Sequence, residues 1–448
     1  MFFSTNGHAT PARMMLLGFA GLILVGTCLL LLPISARTPG GVCFLDALFT
    51  ATSATCVTGL VVQDTAACWS LFGQAVILAL IQVGGLGVVT GAVAMELFTG
   101  RRIGLRQRWA MQETLSAPQV GGIVRLTGFI LKLTLLLEGL GAVLLALRFG
   151  GELGLWRGIW YGVFHAVSAF CNAGFDLFGA GAPFSSLTGY SADAAVNGIL
   201  LLLIVFGGLG FLTWHDIRRH KWRLHAYRLQ SKLVLLTTAV LIVLPGLYLY
   251  FCEFGQPQWR DLSLPERAMA AAFQAVTPRT AGFNTVDLTQ MSQPSQLLLV
   301  LLMLVGGAPG STAGGFKVTT LAVLLLTAWA VVRRKPGAMC FGRRISAEVL
   351  PRAVTIFVLD LLLCLAGTLL LCGLEGLSLM PALFECASAI GTVGLSLGLT
   401  PQLGSASKLL LICLMYLGRV GRLTLVFGVW AAVAPAPSQL PQEKVTVG

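Results

Sequence analysis

The sequence has few charged residues for its length. Only 11% of its 448 residues are Asp, Glu, Lys or Arg, whereas 56% are hydrophobic. A soluble globule of this size needs far more polar surface, so the composition excludes one and indicates a protein that lies in lipid. Apolar stretches recur along the chain, and several approach the ~20 residues that cross the hydrocarbon: 14–34, 71–98, 233–251, 297–306, 321–332 and 356–374. The sequence therefore predicts an all-α polytopic membrane protein.

Residues that carry enzymatic or metal chemistry are also scarce. There are five histidines, and the 11 cysteines occur singly with no CxxC pair, so no metal site is predicted. The absence of a Walker A pattern argues against ATP hydrolysis. An enzyme in the membrane needs a nucleophile or an acid–base set that converges in the bilayer, and His165 is the one histidine near a span outside the loops. We predict a protein that is not an enzyme, and keep an intramembrane enzyme as the alternative from another class.

The basic residues concentrate in three short loops. The formal net charge is +12, and most Lys and Arg residues lie at 101–125, 218–232 and 333–352, between apolar stretches. By the positive-inside rule these loops are cytoplasmic. The charge therefore reports topology and does not predict binding to nucleic acid. We expect a multi-pass protein of the cell (inner) membrane, whose intervening segments face outward.

One short pattern occurs four times: two small or polar residues, a glycine and a hydrophobic residue. The copies begin at Val57, Asn172, Thr280 and Thr392. Their glycines, at positions 59, 174, 282 and 394, are 115, 108 and 112 residues apart. Self-similarity at a steady period predicts repeats. We place them at residues 1–98, 99–217, 218–335 and 336–448, the last including a C-terminal tail.

A short stretch with helical character precedes each copy of the pattern: 45–56, 162–171, 268–277 and 381–391. Extended backbone exposed to lipid costs roughly several kcal/mol for each unpaired amide or carbonyl, so such loops must line a cavity within the protein. Four loops around one axis would place carbonyl groups in a ring that can replace the hydration shell of a cation. The sequence therefore predicts four helix/pore-loop/helix repeats around a pseudo-fourfold pore.

A second glycine-rich element follows each copy of the pattern. It begins at Gly84, Gly207, Gly307 and Gly418, which lie 25, 33, 25 and 24 residues after the respective motif glycines. Glycine pairs also arise wherever membrane helices pack closely. The recurrence of both elements, in the same order and at similar offsets, nevertheless favours four repeats over either element alone.

On these motifs, the chain resembles the Trk, Ktr and HKT superfamily of potassium transport proteins over essentially its whole length. TATSATCVTGL, SAFCNAGF, TPRTAGFNT and ASAIGTVGLS look like the four pore-loop signatures of that superfamily. GGAPGSTAGGFK looks like the broken inner helix of its third repeat. The short N-terminal segment and the four repeats make the chain most similar to the Ktr-type membrane (pore) subunit.

The resemblance implies potassium uptake through a selectivity filter. Carried over to this sequence, the potassium-binding residues are Val57, Thr58, Gly59, Asn172, Ala173, Gly174, Thr280, Ala281, Gly282, Thr392, Val393 and Gly394. Some plant relatives with serine at the first filter glycine favour sodium, whereas this chain has glycine at all four positions. Potassium is therefore the expected ion. A sodium-permeable cation transporter is the nearest alternative, and sodium stays open as a second ion.

The resemblance also implies a gate within the membrane. The stretch 306–315 interrupts an apolar span with residues that break helices, and the predicted gate consists of Gly306, Gly307, Gly310, Ser311, Thr312, Gly314, Gly315 and Arg419. In the resembled family, the arginine at the position of Arg419 helps to hold this loop. The alternatives are a static kink, and an arginine that extends to the cytoplasmic interface.

Several acidic residues lie near the predicted pore. We expect Glu385 to brace the filter, and Glu138 either to pair with a neighbouring helix or to act in a relay. Asp64, Asp176 and Asp287 follow their filters closely, where they either attract cations or are ordinary loop charges.

The implied partners are a second copy of the chain and a cytosolic ring of nucleotide-binding regulatory subunits. The sequence leaves open the regulating nucleotide, the dependence on sodium, and whether transport is channel-like or coupled.

Overall fold

The computed structural model describes residues 11–37, 40–87, 90, 112, 122–180, 183–335 and 337–421. The helices of the first half are α1 (Pro11–Leu30), α2 (Phe44–Cys56), α3 (Thr65–Cys68), α4 (Leu71–Leu86), α5 (Ile123–Leu153), α6 (Leu155–Phe170), α7 (Ala194–Gly208) and α8 (Phe211–His220). Those of the second half are α9 (Leu229–Tyr248), α10 (Leu264–Val276), α11 (Gln293–Leu304), α12 (Val318–Val332), α13 (Val349–Glu375), α14 (Leu379–Gly391) and α15 (Ser405–Val420). A hairpin of β1 (Met339–Cys340) and β2 (Arg343–Arg344) separates α12 from α13.

The long apolar helices α1, α5, α9 and α13, here called the outer helices, each precede one glycine motif. Among the described residues, four helices are long and apolar enough to cross a membrane, or five if α7 and α8 form one bent span. The helix α9 continues as a π-helical turn, Leu249–Glu253. The outer helices agree with the expected polytopic all-α fold.

The helices α2, α6, α10 and α14, here called the motif helices, lead into the four glycine motifs. They end at or near the predicted positions but begin earlier, most clearly α6, which begins at Leu155 rather than at position 162. Gly162 lies inside α6, where an added Cβ would come within 2.7 Å of the Ala142 carbonyl oxygen of α5. This glycine therefore permits close packing of two helices and does not mark a helix start.

The helices α4, α7, α11 and α15, here called the inner helices, end at the second glycine-rich element. Gly87, Gly210 and Gly421, which follow three of them, have φ values of +89°, +81° and +94°, a conformation that terminates a helix. The sequence has an apolar stretch over 71–98, but α4 ends at Leu86; of the remainder, residues 88–89 and 91–98 lie outside the described residues. The helix α4 is therefore shorter than its apolar stretch indicated.

Glycines of the inner helices contact the ends of the motif helices. A Cβ added to Gly84 would lie 2.0 Å from the carbonyl oxygen of Thr55. A Cβ added to Gly207 would lie 2.0 Å from that of Phe170, and one added to Gly418 would lie 2.3 Å from that of Ile390. No side chain fits at these distances. In the first, second and fourth repeats, the second glycine-rich element therefore positions the motif helix against its inner helix.

The last part of the chain packs against the first. Lys408 Nζ, in α15, lies 2.9 Å from Asp46 Oδ1 in α2, and the Tyr416 hydroxyl donates to the Leu16 carbonyl in α1 at 2.7 Å. The second and third basic loops also meet, because Lys232 Nζ lies 5.7 Å from the centre of the Phe341 ring. Most of the first basic loop, 101–111 and 113–121, lies outside the described residues.

Candidate functional site

The four motif glycines form a closed ring. A Cβ added to each motif glycine would meet the carbonyl oxygen of the residue before the next motif glycine, and the fourth motif would meet the first in the same way. The distances from the added Cβ to that oxygen are 2.5 Å from Gly59 to Ala173, 2.9 Å from Gly174 to Ala281, 2.4 Å from Gly282 to Val393 and 2.3 Å from Gly394 to Thr58. Any side chain at these positions would collide with the neighbouring backbone. The structure thus brings together the motifs that the sequence predicted as a filter, in chain order around one axis.

The first residue of each motif has left-handed backbone. The φ values are +57° at Val57, +57° at Asn172, +72° at Thr280 and +52° at Thr392. This conformation is uncommon outside glycine, and a β-branched residue there is strained. Strained backbone of this kind persists only where the surroundings determine it, as they do at functional sites. All four motifs therefore adopt the same unusual conformation.

A hydroxyl group braces each motif, and sequence reasoning missed all four of these groups. The amides of Gly59 and Gly394 donate to Ser53 Oγ at 3.1 Å and to Ser388 Oγ at 3.0 Å. Ser168 and Thr277 instead donate to the carbonyls of Phe175 and Phe283, which follow the other two glycines. The available signal was a serine or threonine five or six residues before each motif glycine.

Glu385 and His165 also hold residues that follow the motifs. The carboxylate of Glu385 accepts hydrogen bonds from the hydroxyls of Ser396 and Thr400, the latter at 2.9 Å, which confirms the expected bracing role. His165 Nε2 accepts from the Leu177 amide at 3.2 Å, and Nδ1 lies 2.7 Å from the Tyr161 carbonyl oxygen. These partners require a neutral imidazole that donates from Nδ1. Both ring nitrogens are therefore used structurally, which disfavours His165 as a catalytic base.

Three aspartates share a cavity with the glycine ring. The cavity, of about 450 Å³, is lined by all four motif glycines and by Asp64, Asp176 and Asp287. Burial, with a contribution from nearby Asp64, raises the pKa of the Asp176 carboxyl to about 7. Asp64 also accepts from the Phe184 amide at 2.8 Å and caps α3. Asp64 is therefore a structural cap, and the three carboxyl groups lie together at the mouth of the ring.

The segment 305–317 separates α11 from α12 and lies at the other end of the ring. A Cβ added to Gly314 would come within 1.8 Å of Thr392 Oγ1. Thr392 is the first residue of the fourth motif, two residues before Gly394. Gly394 lines the mouth cavity and Thr392 does not. The segment therefore contacts the fourth motif from the side opposite the cavity. The sequence predicted an interruption here, and the structure places it directly beside the motif ring.

The backbone of this segment is paired with the break between α7 and α8. The Ala308 amide donates to the Gly208 carbonyl at 2.9 Å, and the Phe211 amide donates to the Gly310 carbonyl at 2.9 Å. The Thr312 hydroxyl donates to the Phe170 carbonyl, at the end of α6, at 3.0 Å. Backbone at membrane depth must find such partners within the protein, and here much of the pairing comes from the second inner helix.

Arg419 bridges the segment and the first inner helix. Its guanidinium donates to the Thr312 carbonyl, and also to the carbonyls of Gly84 at 2.6 Å and Gly85 at 3.0 Å. An arginine that extended to the cytoplasmic interface could not make these three contacts. The predicted association of Arg419 with the interrupted span is therefore present in the geometry.

Glu138 is paired with groups on both sides of it. Its carboxylate accepts from Gln82 Nε2 at 3.1 Å, and Cys171 Sγ lies 3.6 Å away. Gln82 lies in α4, and Cys171 follows α6. Of the two alternatives that the sequence left open, the structure favours pairing with neighbouring elements.

Comparison with known proteins gives one family for almost the entire chain. Residues 35–438 match the family model described as TrkH, cation transport protein. The chain is 39% identical to the Potassium/sodium uptake protein NtpJ of Enterococcus hirae, over 98% of its own length and 97% of that protein. It is 37% identical to the Ktr system potassium uptake protein B of Bacillus subtilis, with the same coverage of both chains.

The fold is similar to a solved structure. The crystal structure of the potassium transporter TrkH from Vibrio parahaemolyticus matches with a TM-score of 0.74 over 97% of this chain and 87% of that chain. Sequence identity between the two is 19%. This likeness establishes the architecture and leaves the role of individual residues to be argued from the geometry.

Proposed function

Because the chain belongs to the TrkH family of cation transport proteins, we propose that it takes up potassium ions across the cell membrane through a filter formed by the four glycine motifs. The family consists of multi-pass membrane transport proteins and not of enzymes. The observation that carries the proposal is the ring in which each motif glycine lies against the carbonyl that precedes the next one. The proposed repeats are residues 1–98, 99–217, 218–335 and 336–448.

Passage of an ion through this ring requires loss of its water. Four carbonyl oxygens lie at the ring, each against the glycine of the neighbouring motif: those of Thr58, Ala173, Ala281 and Val393. Carbonyl dipoles of this kind can replace a hydration shell. The left-handed residues and the hydroxyl braces hold this backbone before an ion arrives. Inward movement is driven by the membrane potential, which supplies about 2.3 kcal/mol per charge per 100 mV.

Potassium is the proposed principal ion, with sodium as a second one. The relatives are named for potassium uptake, and one of them for potassium and sodium. Glycine at all four motif positions keeps side chains out of the ring, which supports potassium over the sodium-permeable alternative.

The segment 306–315 is the proposed gate. It lies beside Thr392, and it is held by Arg419 and by the break between α7 and α8. These contacts support a loop that obstructs the pathway below the filter and moves aside when the protein is active. To open the pathway, a regulatory ligand would need to offset the free energy of these contacts.

The proposed assembly is a homodimer on a cytosolic ring of nucleotide-binding regulatory subunits. Support comes from the names of relatives, which describe them as parts of a Ktr system. The charge of the basic loops 218–232 and 333–352 supports a cytoplasmic position, on the side that would face such a ring.

The filter proposal is tested by Gly59→Ser in proteoliposomes. A side chain at this position meets the Ala173 carbonyl and requires a strained φ of +91°, so we expect weaker selectivity for potassium over sodium. Gly139→Ser is the matched control, because an added Cβ there meets nothing within 4 Å. An unchanged permeability ratio in the Gly59 variant would contradict the assignment. Potassium flux without any added substrate also separates transport from the enzyme alternative.

A further inference from the structure

The second inner helix turns sharply at its cytoplasmic end. The axes of α7 and α8 differ by 95° across Leu209 and Gly210. Since α7 runs across the membrane beside the motif ring, α8 runs along the membrane plane. The helix ends at His220, and the chain reverses through the turn that follows it.

The end of α8 and the turn after it carry unneutralised positive charge. The segment 218–224, here called the basic turn, contains Arg218, Arg219, Lys221 and Arg223, all exposed. Within the part of the chain that the structure describes, none of these four cations takes part in an ion pair. Arg218 lies over the Phe129 ring at 5.2 Å, whereas no comparable contact is present for the other three among the described residues.

Large apolar side chains project from the same turn. Trp222 is 95% exposed and Leu224 is 63% exposed. Trp222 lies between Lys221 and Arg223, and Leu224 follows Arg223. Alternating basic and large apolar residues are typical of segments at a membrane–water interface, where a tryptophan ring inserts at headgroup level. The cytoplasmic leaflet is negatively charged, and each nearby Lys or Arg contributes about 1 kcal/mol of attraction. Charge, exposed aromatic area and orientation therefore all fit the surface of a bilayer.

The helix α8 connects the basic turn to the residues that pair with the segment 306–315. Phe211 begins α8, and its amide donates to the Gly310 carbonyl at 2.9 Å. Gly208, at the end of α7, accepts from the Ala308 amide. A force that holds α8 in the membrane plane therefore also holds residues 308–310 in the position seen here, beside the motif ring.

We infer that the basic turn binds the headgroups of anionic phospholipids in the cytoplasmic leaflet, and that this binding stabilises the closed position of the segment 306–315 through α8. The second half of the inference rests on the proposed gate. The first half, binding, stands on the turn alone.

The test compares full-length wild-type protein with K221S/R223S in two kinds of proteoliposome, phosphatidylcholine alone and phosphatidylcholine mixed equally with phosphatidylglycerol. Phosphatidylglycerol that stays with the purified protein is counted by mass spectrometry, and basal potassium flux is measured in both vesicles. R157S/R260S is the matched control, because it removes two exposed cations from outward-facing segments. Anionic lipid also concentrates potassium at any surface, so flux is compared between proteins in the same vesicles.

We expect the wild type and the R157S/R260S control to retain phosphatidylglycerol, and their flux in mixed vesicles to be several-fold below that of K221S/R223S. The variant should lose retained lipid, and Trp222→Ser should reproduce part of this loss. Equal lipid retention by K221S/R223S and wild type would overturn binding. Lower retention with unchanged relative flux would overturn the coupling to the gate.

Two further outcomes identify other failures. If K221S/R223S retains lipid normally but no longer responds to a cytosolic regulatory protein, the turn is a protein-docking surface and the lipid inference is wrong. If no protein conducts potassium in either vesicle, the proposed function fails, and lipid retention still decides whether the turn binds headgroups.

Discussion

Arg419→Ala should raise the basal potassium flux of the protein without its regulatory partner. Arg419 makes three hydrogen bonds to carbonyls, of which only the one to Thr312 belongs to the segment 306–315. A hydrogen bond from a charged donor contributes about 1.5–3 kcal/mol. Loss of the Thr312 bond therefore shifts the equilibrium between closed and open states by about 10- to 150-fold, at about 1.4 kcal/mol per factor of ten. The same loss should weaken control by the cytosolic partner.

Two companion variants make the Arg419 experiment specific. Arg419→Lys keeps the charge but lacks the planar fork that reaches Thr312 and Gly84 together, so its flux should also rise. Arg352→Ala removes an exposed arginine at the start of α13 and should leave flux unchanged. The assay is potassium uptake into proteoliposomes at matched protein content, with and without the partner. If Arg419→Ala inserts and folds normally yet keeps wild-type basal flux and regulation, the segment is a packing kink and the gate lies elsewhere.

Three other outcomes are expected. Removing Ala308–Thr312 should raise basal uptake in the same assay, because it deletes the residues that pair with the break between α7 and α8; wild-type uptake would contradict a gate there. Ser388→Ala should lower the potassium-to-sodium permeability ratio, since it removes a hydrogen bond worth about 1 kcal/mol to the Gly394 amide, and an unchanged ratio would mean that the brace is dispensable. Cysteines introduced at 106, 223 and 343 should react with impermeant reagents only from the cytoplasmic side. Labelling of any one of them from outside intact cells would contradict the predicted cytoplasmic position of the three basic loops; position 106 lies outside the described residues.

The motif ring was largely predictable because its cause is local. Each motif needs a helix end, a left-handed residue and a glycine within a few positions, and this requirement repeats in the sequence with its four glycines. The ends of α2 and α14 were placed correctly for the same reason. Glu385 could be predicted as a brace because it lies in a motif helix, where a buried carboxylate needs donors.

Contacts between distant parts of the chain could not be predicted from local patterns. The family resemblance indicated that Arg419 contacts the segment 306–315, but no pattern in the sequence indicated its contact with Gly84, 335 residues away. The start of α6 was misplaced because Gly162 reads as a helix boundary, whereas its real constraint is the backbone of α5. The end of α4 was overestimated because hydrophobicity continues past Gly87, although the backbone turns there. The hydroxyl braces were missed because serine and threonine are common in apolar helices and only the fold gives them partners.

The closed ring has a consequence for synthesis of the chain. Thr58 contacts Gly394, and Asp46 is joined to Lys408, 362 residues later. A nascent chain that has inserted its first three motifs therefore holds a groove open on one side, since the wall that completes it has not yet been translated. Ions cannot be surrounded by four carbonyls in such a groove. Passage through a complete ring of four carbonyls therefore requires that α15 has packed against α1 and α2.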